Sequence, residues 1–251
     1  MGYDLSGKVV AITGASSGIG AATALLCAKS GAAVALGARR SDRIEALAQQ
    51  IEDEGGAAVA ITVDVAAEEQ ARGFVETARH RLGRIDALIN NAGVMLLGPV
   101  EGADTEQWRR MVDVNVLGLL YCTHAALPLM REQGGGHIVN VSSVAGRRAS
   151  LGAGVYDLTK WGVTGFSEAL RQEALHSNIR VTIIEPGFVE TELMSHNEGN
   201  PFVMQAGDKI KDEIGEILTA EDIADAIVHA LAAPPHVSIN EVLVRPTRQR
   251  T

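Results

Sequence analysis

Short runs of apolar and β-branched residues alternate with longer amphipathic stretches along the chain. Seven such runs predict buried strands, because apolar runs of roughly four to eight residues bounded by turn residues are typical of them. They cover residues 8–13, 33–37, 57–63, 86–89, 137–142, 179–184 and 241–244. Strands that alternate with helices predict one α/β domain over residues 1–251, with a doubly wound, mostly parallel seven-stranded sheet and helices on both faces.

The stretches between the strands have the spacing of amphipathic helices. They predict helices over residues 21–29, 44–54, 66–82, 108–132 and 156–177, and one more after residue 219. Asp104 with Gln107, and Thr219 with Asp222, are typical of helix N-terminal caps. Residues 188–218 show no strand pattern, and we expect a mobile, irregular substrate lid there.

Two helices carry features that extend beyond a simple amphipathic pattern. The helix over 108–132 is apolar nearly all round, so it is either wholly buried or shared with another subunit, and we favour an oligomer interface for part of it. Asn115 interrupts it, and a buried amide needs a partner in water, backbone or an active site. Gly162 and Gly165 in the helix from residue 156 are expected where another backbone packs closely.

Composition narrows the classes of partner. The 251 residues carry a net charge of -9, which argues against nucleic acid or an anionic membrane as the main partner. Cys27 and Cys122 lie in apolar helical patterns without Cys-x-x-Cys spacing, which favours core thiols in a reducing compartment. The histidines form no ligand cluster, so we expect no metal. Without a signal-peptide pattern or an uninterrupted apolar run of about 18 residues, we expect a soluble, cytoplasmic protein.

A glycine-rich turn lies between the first predicted strand and the first predicted helix. It contains Gly14, Ser16, Ser17, Gly18, Ile19 and Gly20. Strand, glycine turn and helix in that order are typical of dinucleotide binding, with no Cβ to block the pyrophosphate and with helix-start N–H groups facing it. The serines add hydroxyl donors. The alternative is a helix-capping turn that binds no ligand.

The second strand ends at a pair of arginines, Arg39 and Arg40. An acid at this point would bind the ribose 2′-hydroxyl of NAD, whereas an Arg accepts the 2′-phosphate of NADP. Asp42 is the one competing acid, but with Glu45 three residues later it is better interpreted as a capping-box residue. We therefore favour NADP over NAD, with a solvated arginine pair as the alternative.

Two further strands also end in polar or small residues. Asp64, followed by Val65, is either an acceptor for the adenine amino group or a cap of the next helix. Asn91, Ala92 and Gly93 follow the fourth strand, where small residues let the backbone approach a flat ligand and an Asn side chain braces the neighbouring turn.

Tyr156 and Lys160 are separated by four residues, which places both on one face of a helix. A nearby ammonium at an effective dielectric near 20 supplies roughly the 4 kcal/mol needed to bring a phenol toward neutrality. Ser143 lies at the carboxyl end of a predicted strand, where open α/β sheets bind their ligands. The three residues predict a proton-transfer site, although a Tyr-x-x-x-Lys pair is by itself most often a surface contact.

Together these motifs resemble the classical short-chain dehydrogenase/reductase family, over about residues 8–244. The resemblance rests on Thr13-Gly14 through Gly20, Asn90-Asn91-Ala92-Gly93, Asn115, Ser143, Tyr156 with Lys160, and Pro186-Gly187. It implies a single Rossmann domain, a catalytic tetrad of Asn115, Ser143, Tyr156 and Lys160, and a homodimer or homotetramer. The implied NADP(H) site includes Gly14 to Gly20, Arg39, Arg40, Asp64, Val65, Asn91 to Gly93, Tyr156, Lys160, Pro186, Gly187, Val189 and Thr191.

Residues 94–100, 185–187 and 241–247 are similar to the clavulanate (clavaldehyde) dehydrogenase group and the related 3-hydroxy-acid dehydrogenases, which are NADP-linked. The expected reaction is hydride transfer between NADP(H) and the carbonyl or alcohol of a small molecule. Position alone indicates a substrate pocket lined by Met95, Ala145, Arg147, Phe188 and Met194. Arg147 or Arg148 would pair with a substrate carboxylate.

Two other functions are compatible with a nucleotide-binding fold. A nucleotide-sugar epimerase or dehydratase would resemble a longer chain with a substrate domain and a G-x-x-G-x-x-G turn, and this sequence has neither. A non-catalytic NADP-binding regulator would tolerate loss of the tetrad, whereas all four residues stand at the required spacing.

Overall fold

The computed structural model describes residues 2–250, apart from the side chains at positions 201, 202, 206, 208, 209 and 211. Its sheet confirms the predicted class. The strands are β1 Val9–Thr13, β2 Ala33–Ala38, β3 Ala57–Thr62, β4 Ala87–Asn90, β5 Gly136–Val141, β6 Ile179–Pro186 and β7 Glu241–Val244. They form one parallel sheet in the order β3-β2-β1-β4-β5-β6-β7.

The order of the strands reverses beside β1. The chain runs outward from β1 to β3 and then crosses to β4 on the other side, so Ile12 of β1 pairs with Leu36 on one side and with Ile89 on the other. At such a switch point the loops leave the sheet in opposite directions and open a crevice at the carboxyl ends of the strands.

The helices cover both faces of this sheet. They are α1 Gly18–Lys29, α2 Ser41–Asp53, α3 Glu68–Leu82, α4 Thr105–Val112, α5 Gly118–Glu132, α6 Gly154–Ala174, α7 Pro201–Ile214 and α8 Ala220–Ala232. Thr219 forms the predicted capping box with Asp222, and Asp104 caps α4 by accepting the Glu106 N–H.

Each face of the sheet has its own apolar core. α1, α2 and α8 bury residues such as Cys27, Ile44 and Ile227 on one face, and α3 to α6 bury residues such as Phe74 and Cys122 on the other. Burial raises the pKa of both cysteine thiols to about 12, so they are inert core groups, as predicted.

A π-helical turn, Asp113–Leu117, joins α4 and α5 into one continuous helix. By length and composition the helix Thr105–Glu132 is long and apolar enough to cross a membrane. One such helix is weak evidence, since core helices of soluble proteins pass the same test. This one buries Met111, Cys122 and Met130 in the core.

The segment over residues 188–218 differs from the prediction of an irregular lid. It contains a 3-10 helix, Glu192–Asn197, followed by α7. Val189 and Leu218 form a parallel bridge at its two ends. The glycines and scattered charges in this segment interrupt the helical pattern, so the sequence did not predict the helices. Residues such as Val203 and Ile214 on α7 are buried against the rest of the protein.

Three local predictions also need correction. α2 begins at Ser41, so Asp42 lies within the first turn and does not cap the helix. α3 begins at Glu68, with Ala67 at its N-cap. A side-chain carbon at Gly162 or Gly165 would have no neighbour within 4 Å among the described residues, so close packing of another backbone there is not met within the described part of this chain and would require a second subunit.

Candidate active site

Ser143 stands just beyond the carboxyl end of β5, where the chain turns away from the sheet. Its Oγ accepts a hydrogen bond from the Ala145 N–H at 3.1 Å and caps the short 3-10 helix Val144–Gly146. The same hydroxyl is hydrogen-bonded to the phenol of Tyr156. The cap therefore holds the serine at the edge of the sheet, facing α6.

Tyr156 and Lys160 lie one turn apart near the start of α6, on the same face. Lys160 Nζ is 5.8 Å from the centroid of the Tyr156 ring and donates a hydrogen bond to the Val141 carbonyl oxygen at 2.9 Å. Only 7% of Tyr156 and 6% of Lys160 is exposed. The bond to β5 fixes the ammonium between the helix and the sheet.

Burial dominates the electrostatics of this pair. It raises the pKa of Tyr156 to about 12, against the lowering effect of the Ser143 hydrogen bond and with a further increase from Asp157. It also lowers the pKa of Lys160 to about 8. The expectation that Lys160 brings the phenol toward neutrality is therefore wrong for the protein alone, because the cost of burying a phenolate prevails.

Asn115 lies in the π-helical turn and is 2% exposed. Its Oδ1 accepts the Val94 N–H at 2.8 Å, and its Nδ2 donates to the Val94 carbonyl oxygen at 2.8 Å and to Thr159 Oγ1 at 3.2 Å. The buried amide is thus satisfied by backbone and by α6. It ties the loop after β4 to the helix that carries Tyr156.

Gly93 leaves a space between Asn115 and Lys160. A Cβ built on this glycine would stand 3.5 Å from Asn115 Oδ1 and 3.9 Å from Lys160 Nζ. Both groups therefore face one small volume in front of the loop that follows β4.

A cavity of about 670 Å³ extends along the carboxyl edge of the sheet and reaches α7. Most residues predicted from the sequence line it. They are Gly14, Ser16, Ser17, Gly18, Ile19, Arg39, Arg40, Asp64, Val65, Asn91, Ala92, Gly93, Ser143, Tyr156, Lys160, Pro186, Gly187, Val189 and Thr191. Gly20 and Asn115 lie behind the lining residues.

The close packing of the glycine turn explains the position of Gly20. A Cβ on Gly20 would meet the Gly14 carbonyl oxygen and stand 2.6 Å from Asn91 Nδ2, and a Cβ on Gly14 would stand 2.8 Å from the Ala92 Cα. Asn91 Nδ2 also donates to the carbonyl oxygens of Thr13 and Gly14 at 3.0 and 3.2 Å. These two glycines are therefore required for packing within the turn and against the loop after β4.

The N-terminus of α1 opens onto the cavity. Gly18, the first residue of the helix, has φ +53°, and Ser17 at the N-cap makes no side-chain capping bond. The first N–H groups of a helix have no partner within it, and with the helix dipole they attract anions. This end of the cavity is suited to phosphate oxygens.

The two arginines after β2 differ in their surroundings. Arg40 is held by Ser16 and Ser17, with Nη2 2.8 Å from each hydroxyl, and by Glu192. Arg39 is exposed and lines the cavity, and among the side chains that the structure describes no carboxylate forms an ion pair with its guanidinium.

Asp64 lies beside the cavity but does not have the predicted capping role. It lines the cavity, and its Oδ1 accepts the Ala66 N–H at 3.1 Å, while its own N–H donates to Gln70 Oε1 at 3.0 Å. The carboxylate therefore orders the loop between β3 and α3 beside the cavity and does not cap α3.

The C-terminal tail reaches the site, which no local pattern in the sequence indicated. Gln249 Oε1 accepts the Phe188 N–H at 2.8 Å and lies against Gly187, where a Cβ would clash with it. Arg248, Gln249 and Arg250 all line the cavity. The tail thus covers the loop that leaves β6.

Four of the five predicted pocket residues, Met95, Ala145, Phe188 and Met194, line the cavity. The prediction for Arg147 is wrong. Its guanidinium is paired with Glu185, which is fully buried, and with Glu241, and it does not line the cavity. Arg148 is exposed and also lies outside the lining.

Two asparagines attach the lid segment to the loop after β4. Asn197 accepts the Leu97 N–H at 2.8 Å and donates to the Met95 carbonyl oxygen at 2.9 Å, and Asn200 donates to the Leu97 carbonyl oxygen at 2.9 Å. Neither asparagine was predictable from the sequence, because their partners lie about a hundred residues away in the chain. The 3-10 helix and α7 are thereby held beside Tyr156.

A family model described as short chain dehydrogenase matches residues 8–200. The chain belongs to the short-chain dehydrogenase/reductase family. Among its relatives, an uncharacterised oxidoreductase of Staphylococcus saprophyticus is 43% identical over 245 residues, which cover 96% of this chain and 97% of the relative. These findings identify the protein as an oxidoreductase of this family.

Solved structures of other family members agree closely with this fold. L-Sorbose reductase of Gluconobacter frateurii, complexed with NADPH and L-sorbose, has a TM-score of 0.89, 30% identity and full coverage of both chains. The 3-ketoacyl-(acyl-carrier-protein) reductase of Brucella melitensis, complexed with NADH, has a TM-score of 0.86 and 32% identity, covering 98% of this chain and 99% of that one. These similarities support a nicotinamide cofactor.

The residues present fit such a cofactor. The cavity joins an anion-binding helix N-terminus at Gly18 to the buried pair of Tyr156 and Lys160, and Arg39 faces it. A dinucleotide needs this combination, with phosphate donors at one end and a confined reactive site at the other.

Proposed function

We propose that this protein is an NADP(H)-dependent dehydrogenase/reductase that interconverts the carbonyl and alcohol forms of a small substrate. The observation that carries the proposal is the convergence of Ser143, Tyr156 and Lys160 in a cavity that also contains the glycine turn after β1. This convergence supports a site in which Tyr156 would protonate the carbonyl oxygen while the nicotinamide would exchange a hydride with the carbonyl carbon.

NADP(H), when bound, supplies or accepts the hydride. The residues of this chain bind and protonate the substrate oxygen. Ser143 donates a hydrogen bond to that oxygen, and Tyr156 delivers the proton as general acid, which its raised pKa of about 12 keeps available at neutral pH. Lys160, held by Val141, places a positive charge beside the phenol and binds the nicotinamide ribose.

We assign Asn115 a role in reprotonating Tyr156 and Lys160 after the substrate oxygen has been protonated. Its Oδ1 and the ammonium of Lys160 both border the space in front of Gly93. After Tyr156 has given its proton to the substrate oxygen, the ammonium of Lys160 would reprotonate the phenolate. An ordered water in that space, hydrogen-bonded to Asn115 and Lys160, would then return a proton to the neutral amine of Lys160. Asn115 also positions α6 through Thr159.

The preference for NADP(H) rests on Arg39 and Arg40, with no acid at the end of β2. One solved relative is complexed with NADPH and another with NADH, so similarity to them alone does not distinguish between the two coenzymes. NADP(H) is also favoured by the resemblance of residues 94–100, 185–187 and 241–247 to the NADP-linked clavulanate dehydrogenase group. Pro186, Gly187, Val189 and Thr191 would border the nicotinamide.

A homodimer or homotetramer is part of the proposal. Leu158 and Trp161 on α6 are 63% and 53% exposed, and Gly162 and Gly165 beside them leave room for a close approach. Covering such an apolar surface stabilises an assembly. We also propose a cytoplasmic protein with a small-molecule substrate, and neither nucleic acid nor a membrane as partner.

A scan of aldehydes and ketones with NADPH and with NADH, followed at the absorbance of the reduced nicotinamide, tests the reaction. With any substrate found, Tyr156→Phe should lower turnover at least roughly a hundredfold, because it removes the general acid. The variant should still bind NADPH. Tyr121→Phe, on α5 and outside the cavity lining, is the matched control.

Retained turnover in Tyr156→Phe would refute the catalytic assignment. NADPH binding without reduction of any carbonyl compound would instead favour a non-catalytic NADP-binding regulator.

A further inference from the structure

Glu192 connects the lid segment to the opposite side of the cavity. It is the first residue of the 3-10 helix after β6, and its two carboxylate oxygens accept separate hydrogen bonds. Oε2 is 2.8 Å from Arg40 Nη1, and Oε1 is 2.7 Å from Arg43 Nη1. These contacts lower the pKa of Glu192 to about 2, so it is charged throughout the physiological range.

All three guanidinium nitrogens of Arg40 form hydrogen bonds in this arrangement. Its Nη1 bonds Glu192, while its Nε and Nη2 bond Ser16 at 3.1 and 2.8 Å and its Nη2 also bonds Ser17. Glu192, Arg40, Ser16 and Ser17 all line the cavity, whereas Arg43 does not. We call this set of contacts the Glu192 clasp.

The clasp involves Arg40, one of the two arginines that the proposed function assigns to the 2′-phosphate of NADP(H). A guanidinium binds a phosphate through the same N–H fork that here faces a carboxylate and two hydroxyls. A 2′-phosphate reaching Arg40 therefore has to share or replace Glu192, and its charge repels that carboxylate at short range. NAD(H) has a neutral hydroxyl in this position, so it neither displaces Glu192 from Arg40 nor repels its carboxylate.

We infer that Glu192 sets the discrimination between NADPH and NADH by competing with the 2′-phosphate for Arg40. The residue acts through Arg40 and is therefore a positioning residue. The inference rests on the proposed function for the identity of the coenzyme. It goes beyond that function by placing a determinant of coenzyme preference in the lid segment, about 150 residues from the arginines after β2.

The test is isothermal titration calorimetry of the full chain with NADPH and with NADH. Glu192→Gln should tighten NADPH binding roughly three- to tenfold, the size expected for a half-exposed ion pair and a removed repulsion, and should change NADH binding less than about twofold. Glu190→Gln is the matched control, because this exposed residue lies outside the cavity lining and its loss changes the net charge by the same amount.

A double-mutant cycle with Arg40→Gln shows whether Glu192 acts through Arg40. The tightening should be clearly smaller in the Arg40→Gln background, where only the relief of repulsion remains. Glu192→Asp should shift NADPH binding in the same direction by a smaller factor, because the shorter side chain keeps its charge but withdraws from Arg40. Melting curves of each variant verify that it is folded.

Three results would overturn the inference. They are an unchanged ratio of NADPH to NADH affinity in Glu192→Gln, a weaker NADPH affinity in that variant, and a tightening of the same size without Arg40. A wild-type protein that binds neither nucleotide would count against the proposed function itself. A wild type that binds NADPH, with no effect of Glu192→Gln, would count against this inference alone.

Discussion

The ammonium of Lys160 lies 5.8 Å from the centroid of the Tyr156 ring, yet its hydrogen bond goes to the Val141 carbonyl oxygen on β5. Burial keeps the phenol protonated and brings the pKa of the lysine down to about 8. The lysine is therefore the member of the pair that titrates nearer physiological pH.

The first prediction concerns the pH dependence of carbonyl reduction. The ammonium loses its proton as pH rises through about 8, because burial disfavours its charge, and the site then loses its proton supply. We expect kcat/KM for reduction to be level near pH 7 and to fall above about pH 8, since this ratio reports the pKa values of the free enzyme.

The measurement is an initial-rate profile from pH 6 to about 10, with coenzyme binding determined separately at each pH. In Lys160→Met the residual rate should no longer fall in this range. A profile that stays level up to about pH 10 in the wild type would contradict the assignment of Lys160.

The second prediction concerns the space in front of Gly93. Gly93→Ala places a methyl group 3.5 Å from Asn115 Oδ1 and 3.9 Å from Lys160 Nζ, which is ordinary contact and leaves the fold intact. It should displace a water between them and lower kcat at least about tenfold. Gly98→Ala, later in the same loop, should leave kcat unchanged. Equal losses in both variants would argue against a proton path at Gly93.

The third prediction compares two glycines by stability. Gly20→Ala should lower the free energy of unfolding by about 1–3 kcal/mol, because the new Cβ meets the Gly14 carbonyl oxygen and Asn91. Gly73→Ala, in the middle of α3 with no atom within 4 Å of the new Cβ, should raise it by about 0.5–1 kcal/mol. Urea titration measures both. An unchanged free energy of unfolding in Gly20→Ala would contradict the conclusion that Gly20 is required for packing.

The fourth prediction separates structure from substrate recognition at Arg147. Arg147→Gln leaves the buried carboxylate of Glu185 without its cation and should cost about 2 kcal/mol in unfolding free energy. The KM ratio of an acidic to a neutral aldehyde should stay the same, because the residue does not line the cavity. Arg148→Gln, an exposed neighbour, should change neither quantity. A selective rise in KM for the acidic aldehyde would contradict this prediction and would indicate that Arg147 binds the substrate carboxylate.

The fold was largely predictable because local patterns are sufficient to define its elements. The apolar run that became β7 has the predicted bounds, Glu241–Val244, and the order of strand, glycine turn and helix fixed the start of the sheet. Helix starts were less predictable. Asp42 is a residue type that often caps helices, but the N-cap of α2 is Arg40, two positions earlier.

The sequence by itself determined the parallel α/β sheet, the glycine turn and the spacing that brings Tyr156 and Lys160 to one face of α6, because each depends on residues within a few turns of one another. Only the tertiary structure decided how deeply that pair is buried, and with it the two pKa values. It also decided that Arg147 meets Glu185 and that Glu192 meets Arg40. These contacts join residues about 40 to 150 positions apart, and no local periodicity encodes them.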